Sequence, residues 1–126
     1  MYWFSLGVAL LVALGIIAIG TLYLSNPRAA TKSFGLPLPE DGANIPWWLR
    51  LKGVRDIVTG LVLLAAMMWG GPRTIGIVLL IEAIIPLGDM SLILAAKGSA
   101  RSAFGIHGLT AALMILAAVP LMTGLA

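Results

Sequence analysis

Five ionisable residues stand inside otherwise apolar stretches of the chain: Arg55, Asp56, Glu82, Asp89 and His107. A charge near the centre of a bilayer costs about 2.5–3.5 kcal/mol, so such side chains must face a protein interior and find partners there. Arg55 alone cannot neutralise Asp56, Glu82 and Asp89, even when His107 is protonated. An apolar interior does not hold that imbalance, so at least one carboxyl is expected to keep its proton. Glu82, the deepest and the furthest from Arg55, is the expected holder, and Arg55 is expected to pair with Asp89, Asp56 or both. A protonated and an ionised carboxyl on one stripe are an acid and a base, a pairing of the kind that isomerisation or epoxide opening requires. Glu82 and Asp89 are therefore the candidate catalytic residues. Arg55, Asp56 and His107 are the candidate ligand-binding residues around them. One histidine and scattered carboxylates do not resemble a zinc constellation, so no metal is expected, and no cofactor either.

The same residues admit blander readings. Arg55, Asp56 and Asp89 could form an ion-pair clamp that fixes helix packing, as in a non-catalytic accessory or assembly subunit. A membrane carboxylate could also serve proton-coupled transport. Small multidrug transporters have a similar size and four helices, but their essential glutamate lies in the first helix, where this chain has no charge. The reading favoured by the uncancelled charge is a site that binds, and acts by acid–base chemistry on, a lipophilic small molecule.

These side chains need elements to hold them, and the composition says which. The chain has 126 residues, of which 60% are hydrophobic and 10% charged, with a mean hydropathy of +1.06. A soluble domain is nearer 45–50% apolar and 25% charged. Disordered chains lack apolar residues, which excludes disorder. The absence of cysteine excludes disulfides, thiol nucleophiles and iron–sulfur clusters. An integral membrane protein remains, and a spanning helix needs about 20 apolar residues. Trp3 to Leu24 meets that without a charge and is too long for the apolar core of a leader. Ile57 to Trp69 is too short before the Gly70-Gly71-Pro72 breaker, so this helix must run back through Asp56 and Arg55 to Pro46, a residue suited to a first turn. The third span holds Glu82, Pro86 and Asp89; the fourth holds His107. The expected fold is all-α: a single membrane domain, an antiparallel bundle of four transmembrane helices over about 3–24, 46–69, 73–96 and 103–123.

Depth, counted at about 1.5 Å per residue, places Arg55 and Asp56 two turns inside Trp48. Asp89 falls two turns inside Lys97, and His107 little more than one turn inside Arg101. Three helices thus bring ionisable groups to one level. Glu82, seven residues from Asp89, shares its face roughly 10 Å further in. Pro86 between them leaves the Glu82 carbonyl without its usual donor and should loosen the helix there.

Loop charge sets orientation. Arg28, Lys32, Arg50, Lys52, Lys97 and Arg101 lie on one side and Arg73 alone on the other, which puts both termini outside a multi-pass cell-membrane protein. Tyr2, Trp3 and Trp69 fit an outer aromatic belt, and Tyr23, Trp47 and Trp48 an inner one. The net charge of +3 then meets anionic headgroups of the lipid bilayer, and no nucleic-acid partner is expected. The connection at 25–45 is long for a helix–helix link. Asn26-Pro27 should start a short surface helix that Gly35 ends near Phe34. Leu36-Pro37-Leu38-Pro39 should be extended and Glu40-Asp41-Gly42 a turn, with Phe34, Leu36 and Leu38 packing as a lid on the inner mouth. Gly53 with Gly60, and Gly105 with Gly108, should allow close helix approach. A homodimer is compatible with the small enclosed volume.

Asn26-Pro27-Arg28, Phe34-Gly35 and above all Lys52-Gly53-Val54-Arg55-Asp56-Ile57 with Gly60 resemble a group of small four-span membrane proteins. That group is catalogued as a domain of unknown function, occurs in bacteria and fungi, and is akin to the DoxX-like set of four-helix membrane proteins. The resemblance covers nearly the whole chain. It implies the four-span architecture, singles out Arg55 and Asp56, and supplies no reaction.

Overall fold

The computed structural model describes residues 1–37 and 42–125, so the expectations for Leu38, Pro39, Glu40 and Asp41 lie outside the described residues. Among the described residues the chain is helical, with no strand. Helix α1 (Tyr2–Ser25) is apolar on every face, as a helix surrounded by lipid and protein should be. It stops where Asn26 leaves the helical region. The Asn26 carboxamide oxygen accepts from the Ala29 N–H at 3.3 Å, capping α2 (Pro27–Ala30), which continues as a 3₁₀ turn over Thr31–Ser33. Gly35, at φ +99°, turns the chain away.

Helix α3 (Ile45–Trp69) starts with Pro46 in its first turn. The extended Gly70 and Gly71 then part it from α4 (Pro72–Glu82). α4 gives way at Ala83 to α5 (Ile84–Ala95). The cause is Pro86, which has no N–H to offer the Glu82 carbonyl one turn earlier. α5 closes on Lys97, a left-handed residue at φ 56°, with the Gly98 N–H bonded to the Ile93 carbonyl at 2.8 Å. α6 (Ala100–Ser102), capped by the Ser99 hydroxyl, runs into a π-helical turn at Ala103–Gly108 and then α7 (Leu109–Thr123).

Three of these stretches are long and apolar enough to cross a membrane: Tyr2–Ser25, Pro72–Ala95 and Ala100–Thr123. α3 is as long, at 25 residues, but Arg50, Lys52, Arg55 and Asp56 in its first half keep it out of that class.

Helices α1 and α3 meet through glycine. A Cβ on Gly20 would stand 2.6 Å from the Gly53 carbonyl oxygen, and one on Gly60 would stand 2.7 Å from that of Ala13. Backbone-to-backbone contact of this kind substitutes for the hydrophobic drive that lipid removes. Gly105 differs from the expectation: a Cβ there would meet nothing within 4 Å, because the π turn points it outward. A Cβ on Gly108 would meet the movable Met90 sulfur at 2.9 Å and the Ala103 carbonyl oxygen at an ordinary 3.4 Å. The core joins Ala9 and Ala13 of α1, Leu63 and Ala66 of α3, Ile75 and Leu79 of α4, and Met114, Ala117 and Leu121 of α7.

Candidate functional site

Where Asp56 was expected to meet Arg55, it meets Lys52: Nζ to Oδ2 is 2.6 Å, one helical turn apart on α3. The Lys52 ammonium also lies 4.4 Å from the centre of the Tyr23 ring and 5.2 Å from that of Phe34, in cation–π range of both. Arg55 is exposed, and among the described residues it has no ion-pair partner. Neighbours in a helix sequence lie about 100° apart, so two adjacent side chains cannot share one interior face.

His107 is buried, and the π turn sets its direction. A carbonyl oxygen only accepts, so the 2.9 Å contact with Phe34 makes Nε2 the donating nitrogen. The two rings meet edge to face at 4.6 Å. Nδ1 faces Asp89 Oδ2 at 3.6 Å. With Nε2 committed, Nδ1 bears hydrogen only on a cationic ring. The Phe34 segment is further fastened by the Ser99 N–H, which donates to the Gly35 carbonyl at 2.9 Å. Gly98 packs so tightly on that carbonyl that no side chain fits. Leu36, expected to pack beside Phe34, is 40% exposed.

Glu82 lies apart from these pairs. It is buried, and among the described residues its Oε2 has no hydrogen-bond partner. Leaving such an atom unpaired costs about 1–3 kcal/mol. Two threonine hydroxyls of the same cavity lining are spent elsewhere: Thr59 donates to the Arg55 carbonyl at 2.9 Å and Thr110 to that of Ile106 at 2.7 Å.

A single cavity of about 320 Å³ touches all of these groups except Arg55. Lys52, Asp56, Asp89, His107, Tyr23 and Ser33 line its Phe34 end. Glu82 lines it further along, among Val12, Ile85, Pro86, Leu113 and Met114. Residues 8, 12, 15, 19 and 22 of α1 form one wall at helical spacing. The volume lies at the lower end of the range for small-molecule pockets, about 300–1,000 Å³, and the lining is mostly apolar with a few polar groups, as in such pockets. π turns recur at functional sites, and here one aims His107.

Lys52 and Tyr23 were read only as an interfacial charge and a belt aromatic. Tyr23 is instead 2% exposed. Lys52 carried a usable signal, its four-residue spacing from Asp56. The burial of Tyr23 had none, because every face of α1 is apolar.

Comparison with known proteins finds one family model, a domain of unknown function (DUF4267), matching residues 13–121. The chain belongs to that family. Curated proteins and solved structures give no match.

Proposed function

We propose that this DUF4267 chain is a four-span antiparallel bundle that holds a lipophilic small molecule in the cavity between α1, α5 and α7. The observation that carries the reading is Glu82: a buried carboxyl with an unpartnered oxygen in the wall of an otherwise apolar cavity. Proteins rarely leave such a group unsatisfied, and a site awaiting a ligand is one reason to do so. The antiparallel arrangement is supported by register: Gly20 faces Gly53 while Ala13 faces Gly60, and Gly76 abuts Leu121 while Asp89 faces His107. α3 crosses despite its charges because Lys52 and Asp56 pair inside, and Arg55, about two turns from Trp48, reaches back to the headgroups.

Asp56 and His107 contact the ligand in this reading; Arg55 does not. Glu82 as acid and Asp89 as base, roughly 10 Å apart along the helix, give the site the means for proton transfer to and from a bound lipophile. The paired state of Lys52–Asp56 and His107–Asp89 favours a second reading, a structural clamp in an accessory subunit.

The test uses Gly15, which lines the cavity and at which a Cβ meets nothing within 4 Å. Gly15→Leu fills the space without a backbone clash. Mass spectrometry of gently extracted protein should find a lipophile with the wild type and lose it with Gly15→Leu. An empty wild type, or the same lipids on both proteins, contradicts the reading.

A further inference from the structure

The shape and charge of the cavity narrow its ligand further, provided the proposed binding reading holds. Along α1 the lining runs from Val8 to Tyr23, a length of roughly 22 Å at the helical rise. A cavity of about 320 Å³ drawn out over that length is elongated, a shape that suits an extended hydrocarbon chain. A compact ligand of the same volume would leave much of that length unfilled.

Charge is closed at the Phe34 end. Lys52 answers Asp56 at 2.6 Å, and His107 Nδ1 faces Asp89 Oδ2 at 3.6 Å. The ionisable groups at this end already face partners within the protein, so a charged headgroup of either sign would enter a partly dehydrated site with no free counter-charge to receive it. Among the described residues no ion-pair partner stands beside Glu82, and an apolar wall favours the neutral acid there. A neutral carboxyl has one O–H to donate, and among the described residues Oε2 has no hydrogen-bond partner. A ligand oxygen in the cavity would supply an acceptor. It must do so at the depth of Glu82, roughly 10 Å along the helix from Asp89.

We infer that the cavity takes a single-chain, uncharged lipid amphiphile with a hydroxyl-type head among Lys52, Asp56, Asp89 and His107 and a second, mid-chain oxygen that accepts from Glu82. The chain lies along α1 with its end toward Val8. The head replaces water at the paired residues without changing their charge balance. The mid-chain oxygen, as ketone, ether or epoxide, satisfies the carboxyl that the fold leaves open.

The experiment measures competition against a radiolabelled unbranched eighteen-carbon alcohol bound to the full chain in detergent micelles. The competitors are chains of the same length: the plain alcohol, the fatty acid, the primary amine, and the alcohol bearing a ketone near mid-chain; a fused-ring alcohol completes the set. In the wild type the keto-alcohol should compete about tenfold better than the plain alcohol. The fatty acid, the amine and the fused-ring alcohol should compete at least tenfold worse. Glu82→Gln should keep most of the ketone preference, because the amide still donates, and Glu82→Leu should abolish it, so that keto-alcohol and plain alcohol compete equally. A ketone that brings no gain in the wild type overturns the inference without needing any variant to fold. So does a preference that survives Glu82→Leu, or charged heads or fused rings that compete as well as the plain alcohol. If the radiolabelled chain does not bind at all, the binding reading itself fails, an outcome distinct from binding without discrimination.

Discussion

Asp56 and Lys52 stand one turn apart on α3, so their side chains meet, while Arg55 points about 100° away into the surroundings of the helix. The stability of the chain should follow that geometry. Lys52→Met leaves a buried carboxylate without its cation and should lower the unfolding free energy, measured by denaturant titration in micelles, by on the order of 1–3 kcal/mol. Arg55→Met, at an exposed position, should change it by less than about 0.5 kcal/mol. The reverse order would put the arginine back in the interior. Asp56, Glu82, Asp89 and His107 were legible in the sequence because a titratable residue in an apolar run must be hidden or functional. The choice of cation was not. Lys52, at the margin of the apolar run, serves equally well as an orienting charge, and only the helical phase of the folded chain shows that it turns inward.

At the scale of the element, the helices are held by close backbone contact as much as by side-chain packing. Gly60→Ala would place a methyl 2.7 Å from the Ala13 carbonyl oxygen, which cannot step aside as a side chain would. It should cost about 1–3 kcal/mol, the usual penalty for overpacking. Gly15→Ala, with open space at its Cβ, should be neutral or slightly stabilising through helix propensity. The same titration checks both, and equal effects would mean that α1 and α3 do not touch through these glycines. Helix extents were readable from runs of apolar residues and from the Gly70-Gly71-Pro72 and Pro86 breakers. The π turn at Ala103–Gly108 was not, since no residue type in that stretch encodes an extra residue per turn. Nor was the cavity-facing side of α1: a helix without a polar stripe has no phase to read.

At the scale of the molecule, the number of membrane crossings decides whether the ends of the chain share a side. Four crossings, with α3 inserted despite its charges, put both termini on one face; three crossings, as apolarity alone would allow, put them on opposite faces. Because the chain has no cysteine, single cysteines added next to each terminus give an unambiguous readout with a membrane-impermeant thiol reagent. Both should label from outside intact cells, and labelling of only one would remove α3 from the bilayer. The same four helices enclose the cavity that joins Glu82 to the paired residues at the Phe34 end, and the central claim is that a lipid chain occupies it. The most direct measurement is photolabelling of the wild type with a long-chain alcohol that carries a diazirine near mid-chain, followed by mapping of the labelled residues. Label should concentrate on Val12, Ile16, Leu113 and Met114, which line the cavity, and should fall away in Gly15→Leu. Label spread instead over outward-facing Leu14, Val58 and Leu116, and unchanged by Gly15→Leu, would show that the chain is ordinary surrounding lipid and that the cavity is empty of function.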